Sequence, residues 1–287
     1  AREMLEIEKE KQIAIASSQA KAHFLANMSH EIRTPINTII GMNEMILREN
    51  RDESVHEYAH NVDNASKMLL GLVNDVLDFS KIESGKMEIV NGEYHLSKLL
   101  ADVVNGTRVK AEAKNIVFRE DIDPTLPSVL FGDEIRIRQI LNNLLSNAVK
   151  YTQNGSVSLF IRGIRDNGKL IMHMSVEDTG MGIKPEDMEG LFDSFRRLEE
   201  DKNRFIEGTG LGMSITKQIR DMMHGKVEIE SEYGKGSVFS LSFNQKIVED
   251  IPIGCFEDWY HIPASATSYQ EKCYKVNDVK ILAIDDN

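Results

Sequence analysis

Apolar residues recur along the first part of the chain at steps of three, four or seven: Ile13, Ala16, Ala20, Phe24, Met28, Ile32 and Ile39. That is the period of an amphipathic helix. Between Met4 and Leu47 only Pro35 and Gly41 disfavour it. A polar gap, RENRDES, follows, and a second run carries Val55, Ala59, Val62, Ala65, Leu69, Leu72, Val76 and Phe79. Two such helices with a short connection predict a helical hairpin. One hairpin has a thin core, so a second copy is expected to cover its apolar stripe in a dimeric four-helix bundle.

The pattern changes after Gly85. KMEIV reads as a short strand, Leu96 to Lys114 as a helix, NIVFREDI as a strand and Asp133 to Tyr151 as a strong helix. SVSLFIRGI and KLIMHMSVED alternate as strands around the turn DNGK. A Gly-punctuated stretch, Thr179 to Gly212, leads to a helix at about Met213 to His224 and two strands, KVEIESE and SVFSLSF. This order predicts an α+β sandwich, with helices on one face of a mostly antiparallel sheet. The chain thus reads as multidomain: a lead-in helix (1–16), the all-α hairpin (17–84), the α+β domain (85–246), a linker (247–278) and a closing strand run (279–287). The hinge between the two main domains is expected in SKIESGKM, Ser80 to Met87.

Length and composition change this picture little. The 287 residues, 41% apolar and 28% charged, suit two ordinary globular domains. A net charge of −12 speaks against nucleic acid, which needs a clustered positive surface. No apolar run reaches the roughly 18 residues that span a bilayer, and the charged opening AREMLEIEKEKQ is no signal peptide. The chain reads as a cytoplasmic fragment without membrane contact; an anchor in the inner or plasma membrane would lie upstream. Cys255 and Cys273 make neither a metal spacing nor a disulfide framework.

Within the first helix, FLANMSHEIRTPIN interrupts the apolar period with a polar run. At about 100° per residue, His30 falls nearly opposite Met28, Ile32 and Ile39, with Thr34 one turn above it. An exposed imidazole can be a nucleophile, and Glu31 can accept its other ring proton. Pro35 removes a backbone hydrogen bond just beyond. Most lone exposed histidines are surface decoration, which is the reading for the other seven, including His23 and His56.

In RIRQILNNLLSNAVKYT, residues Asn143, Asn147, Lys150 and Tyr151 share one helical face beside the apolar stripe Ile140, Leu141, Leu144, Leu145 and Ala148. The bland reading is a solvated polar face. The sharper one is a nucleotide site, where asparagine oxygens (Asn147, Asn143) ligate Mg²⁺, Lys150 neutralises phosphate and Tyr151 lies beside a base. VEDTGMGI supplies Asp178, able to accept from an exocyclic amine, and Gly180 and Gly182, which permit close backbone approach. GTGLGMSI places Gly208, Gly210 and Gly212 at a helix start, where free amides bind phosphate. Neither a P-loop nor a Rossmann pattern is present.

SHEIRTP in this setting resembles the phosphoacceptor box of sensor histidine kinases. The later blocks resemble, in order, the N box (NNLLSNAVKYT), G1 box (DTGMGI), F box (LFDSF) and G2 box (GTGLGM) of the kinases' Bergerat-type ATP-binding domain. The resemblance covers about Ser17 to Phe243 and implies an ATP- and Mg²⁺-dependent homodimeric enzyme. In it His30 is phosphorylated, Glu31 is its acid–base partner and Thr34 orients a water for dephosphorylating a response-regulator receiver domain. Gly208, Thr209, Gly210, Leu211 and Gly212 then line the phosphates, and Arg204 in the lid RRLEEDKNRFIE reaches the γ-phosphate. Many relatives carry two glycines just before the G2 threonine, where this chain has Ile206, Glu207 and Gly208. The related gyrase, Hsp90 and MutL ATPases place a Glu at position 143; an amide there is no general base, so ATP is held for transfer rather than hydrolysis. An ATP-binding scaffold signalling by conformation alone, and an enzyme working mainly as a phosphatase through Thr34, are the alternative readings. VKILAIDDN, with Asp285 and Asp286, resembles the start of a receiver domain and implies a hybrid kinase.

Overall fold

The computed structural model describes residues 32–48, 52–193 and 210–255. Helix α1 comprises residues 32–48, running through Pro35, and α2 is Glu53–Glu83. Asp52 starts α2 as its N-cap, its carboxylate accepting the Ser54 N–H at 2.9 Å. The helices are antiparallel: Asn43 Nδ2 donates to the Ala59 carbonyl at 2.6 Å and Arg33 to Asn74 Oδ1 at 3.0 Å.

The seam between α1 and α2 differs from the predicted stripe. Ile36, Asn43, Ala59, Ser66 and Leu77 are buried, whereas Ile32, Ile39, Val62 and Leu69 are exposed. Met42, Met45, Ile46, Tyr58 and Met68 are exposed as well. Close approach of two helices favours small side chains such as Ala59 and Ser66, and Ile32, Ile39, Val62 and Leu69, which helped set the sequence period, lie outside the seam. Asp63, four residues after Ala59, pairs through Oδ2 with Lys67 at 2.8 Å, while its buried Oδ1 has no hydrogen-bond partner.

After α2 come β1 (Gly92–His95), α3 (Leu96–Ala113), β2 (Val117–Ile122), β3 (Pro127–Gly132), α4 (Glu134–Tyr151), β4 (Ser156–Asp166), β5 (Lys169–Asp178), the one-turn α5 (Pro185–Met188), α6 (Gly212–Met222), β6 (Lys226–Glu232) and β7 (Gly236–Pro252). The strands form one sheet in the order β1-β3-β7-β5-β4-β2, with β6 also paired to β7. Among the described residues only β2 and β4 pair in parallel. Period-2 alternation buries Leu170, Met172, Met174 and Val176 of β5 in a core shared with Leu99, Val103, Ile140, Leu144 and Ile215 of the helices. This is the expected sandwich. The β4–β5 turn holds Asn167 and Gly168 at φ 47° and 76°, the positive pair that a tight right-twisted hairpin requires.

Three boundaries depart from the sequence reading. KMEIV is not a strand: Met87 is buried in the core, and the Val90 N–H donates to Asp133 Oδ2 at 2.9 Å, so β1 begins only at Gly92. The expected linker does not start at Ile247, because β7 runs on to Pro252, pairing with β3 through register shifts. β3 itself, opened by Pro127, was not anticipated. In the expected hinge, Ser80 to Glu83 remain helical; the turn lies at Ser84 to Lys86, with Gly85 at φ 67°.

Candidate nucleotide site

α4 holds the centre of the site. Asp133 caps it, accepting the Arg136 N–H at 3.0 Å, and Ile137, Ile140, Leu141, Leu144 and Leu145 anchor it on the sheet. That burial fixes which face stays open, and Asn143, Asn147, Lys150 and Tyr151 on it are all half-buried. Lys114 Nζ closes the helix by donating to the Val149 and Lys150 carbonyls at 2.9 and 3.0 Å. Burial and then the Lys150 charge lower the Lys114 pKa. The Lys150 ammonium lies 4.8 Å from the Tyr151 ring centroid, a cation–π distance.

The two ends of this face reach the two glycine-marked segments. Asn143 Nδ2 donates to Thr216 Oγ1 of α6 at 2.8 Å, and a β-carbon on Gly212 would lie 2.2 Å from Asn143 Oδ1. Gly212 therefore lets α6 open directly against Asn143. Leu211 is fully buried, its carbonyl accepting the Ser214 hydroxyl at 2.9 Å, and Gly210 sits at φ 71°. At the other end, the Tyr151 carbonyl accepts the Met181 N–H at 3.3 Å from the loop after β5. Asp178 ends β5, 7% exposed, and its Oδ1 accepts the Gly180 N–H at 2.8 Å. Burial raises its carboxyl pKa above the ordinary 3.8, against the lowering effect of hydrogen bonds from the Gly180 and Ser237 backbone.

Gly180 and Gly182 play different parts. A β-carbon on Gly180 would meet the Asp178 carboxylate and the Tyr151 carbonyl, each at 2.7 Å. One on Gly182, at φ 67°, would lie 2.2 Å from the Glu232 carbonyl, so this glycine fits the loop against the β6–β7 turn. A β-carbon on Gly236 would lie 1.9 Å from the Asp178 carbonyl, so this glycine lets β7 pass close to the end of β5, and Ser231 Oγ accepts the Ile183 N–H at 2.8 Å. Sequence reasoning gave Thr216, Ser231 and Gly236 no role at the site. Of the three, Gly236 lies in GKGSVFSL, a stretch that resembles the closing strand motif of this ATP-binding fold.

Thr34 is exposed on α1 and its carbonyl accepts the Thr38 hydroxyl at 3.0 Å. His30, Glu31, Arg204, Gly208 and Thr209 lie outside the described residues, as do Phe195, Cys273 and the receiver-like end. Phe192 is half-buried, with Lys217 of α6 5.8 Å from its ring.

A helix carrying amides and a cation, a buried carboxylate after a strand and a glycine-opened second helix define a Bergerat-type ATP-binding domain. Residues 132–247 match the histidine kinase-, DNA gyrase B-, and HSP90-like ATPase family, and residues 20–85 match the His Kinase A phospho-acceptor domain. Over 230 residues the chain is 38% identical to hybrid signal transduction histidine kinase B of Dictyostelium discoideum, covering 80% of this chain and 12% of that protein. It is 32% identical over 253 residues to the signal transduction histidine-protein kinase BarA of Escherichia coli, covering 86% of this chain and 28% of that one. A crystal structure of full-length ShkA in complex with AMPPNP superposes with a TM-score of 0.62 at 30% identity, over 79% of this chain and 46% of that one. The chain belongs to the sensor histidine kinases. These relatives are named as kinases, and none supports the scaffold alternative.

Proposed function

We propose that this chain is the catalytic part of an ATP-dependent protein histidine kinase that autophosphorylates His30 and passes the phosphoryl group to an aspartate of a receiver domain. One observation carries the ATP site: a single helix face is bonded at Asn143 to α6 and at Tyr151 to the loop of Asp178. An elongated ligand with a base at one end and phosphates at the other fits between them. Asp178 accepts from the exocyclic amine of adenine, Tyr151 flanks the base and Lys150 faces the phosphates. The N-terminus of α6 offers free amides to the distal phosphates, with Gly208, Thr209 and Arg204 contributing from the lid.

The donor set also suits Mg²⁺, which takes few protein oxygens and keeps phosphate and water ligands. Asn147 and Asn143 would hold it; the Asn143 nitrogen is engaged by Thr216, which turns its oxygen toward the start of α6. When bound, the ion neutralises charge on the β- and γ-phosphates. No carboxylate stands at position 143 to activate water, so ATP waits for its acceptor. In transfer, an imidazole nitrogen of His30 bonds to the γ-phosphorus as the bond to the bridging oxygen breaks and ADP leaves; Glu31 takes the ring proton. Thr34 serves the reverse task, orienting water toward a phosphorylated receiver. No helix among the described residues is long and apolar enough to cross a membrane.

Incubation with γ-labelled ATP and Mg²⁺ tests this reading. Base-stable, acid-labile label on the parent and none on His30→Ala is the expected result. Tight ATP binding with no label in the parent would refute the kinase assignment.

A further inference from the structure

Thr216 is buried in α6, 2% exposed. A threonine inside a helix commonly returns its hydroxyl to the carbonyl one turn back, as Thr107 of α3 does by donating to the Val103 carbonyl at 2.8 Å. Thr216 turns its hydroxyl to α4 instead, where Oγ1 accepts from Asn143 Nδ2 at 2.8 Å. The Met213 sulfur lies 3.9 Å from the same nitrogen. Gly212 and Met213, four and three residues before Thr216, share its face of α6, and this is the face that meets Asn143.

These contacts decide which way the amide points. A hydroxyl can serve either end of an amide, but a thioether only accepts, so the nitrogen belongs on the side of Thr216 and Met213. The oxygen is left facing the start of α6: Asn143 Oδ1 lies 2.2 Å from the point a β-carbon of Gly212 would occupy, against 3.1 Å for Nδ2. Mg²⁺ takes oxygen ligands, and a flipped amide would turn two N–H groups toward the cation. Asn143 can therefore serve a metal in only one of its two orientations, and α6 selects that one.

We propose that Thr216 is a positioning residue for the metal: by engaging the Asn143 nitrogen it holds the Asn143 oxygen ready for Mg²⁺, and it touches neither ion nor nucleotide itself. This rests on the ATP and Mg²⁺ site proposed above. Groups that orient a ligand side chain tune metal affinity without contacting the metal. Here the orienting group stands on a different helix from the side chain it sets, so the metal-binding face of α4 is complete only when α6 is seated against it.

Calorimetric titration of the parent chain, Thr216→Val and Thr216→Ser with ATP, in excess Mg²⁺ and in excess EDTA, tests the assignment. The readout is the factor by which Mg²⁺ tightens ATP binding. Thr216→Val should lower that factor about three- to tenfold, with metal-free ATP affinity little changed, and Thr216→Ser should keep it. In an Asn143→Ala background, Thr216→Val should change nothing further, because the group it orients is gone. Thr216→Ala carries the same expectations if the valine variant does not fold. A variant with the parent's factor, one that loses metal-free and Mg²⁺-bound ATP equally, or additive losses in the Asn143→Ala background would overturn the proposal alone. A parent chain that binds ATP equally with and without Mg²⁺ would overturn the metal assignment and this proposal. One that binds no ATP at all would overturn the ATP site with them.

Discussion

Asp78 of α2 accepts hydrogen bonds on one carboxylate oxygen from both Arg136, at 3.1 Å, and Gln139, at 2.7 Å, of α4. The helix that carries the nucleotide face is thereby tied to the helical hairpin, next to Phe79 and Ile82, which pack against the core of the sheet domain. Asp78 and Arg136 are each less than one-fifth exposed, so the pair is better shielded from solvent than a surface bridge. Asp78→Ala is expected to weaken this docking by about 1–3 kcal/mol. Limited proteolysis should then cut faster at the Ser84 to Lys86 turn, and autophosphorylation should speed up as the catalytic domain swings more freely. Unchanged cleavage would show that the bridge does not hold the domains.

Asn143 and Gly212 form a second coupled pair. Asn143→Ala removes the bond to Thr216 and should lower Mg²⁺-ATP affinity about tenfold. Gly212→Ala drives a methyl into the same amide and should cost as much. Because the clash is with the Asn143 side chain itself, the double variant should lose less than the sum of the two. Strict additivity in a binding cycle would contradict the contact.

Asp178 links binding to stability. A carboxyl with a raised folded pKa holds its proton more tightly in the folded than in the unfolded chain. Its contribution is therefore greatest at low pH and is lost as pH rises from 3.8 through the folded value. Asp178→Asn should raise the melting temperature at pH 7 and flatten this part of the pH profile, yet weaken ATP binding at least about tenfold. In the parent, ATP affinity should fall on acidification before an ordinary carboxylate would protonate. A melting temperature lowered at pH 7 would mean that the charged form is stabilising.

The outer stripe of Ile39, Met42, Val62 and Leu69 is exposed in the single chain, and a second copy is the expected cover. The double variant Val62→Lys and Leu69→Lys should convert a dimer to a monomer in light scattering, while the sheet domain keeps its nucleotide affinity. A dimer that survives both charges would place the interface elsewhere.

Much of this was legible from local patterns. α4 announced itself through Asp133, a long apolar stripe and a strong period; the β4–β5 hairpin through alternation and Asn167-Gly168. The sequence also named Asp178, Asn143 and the glycines, because chemistry at close quarters restricts residue type. What escaped was set by distant partners. Ile247 to Pro252 look like linker until β3 is beside them, and β3 is too short and begins with proline. The hairpin seam escaped for a different reason: Asn43 and Ser66 lie in it, whereas hydrophobic periodicity registers the large side chains outside it.

The position of β7 bears on how the chain is made. It is the last of the described strands to leave the ribosome, yet it lies between β3 and β5 and also takes β6. Until Pro252 has emerged, β3 and β5 have unpaired edges and the sheet cannot close. The domain should therefore acquire its structure after synthesis of the segment rather than progressively during it, through contacts of long sequence separation that form slowly. Its nascent form is the state in which aggregation and chaperone capture compete with folding.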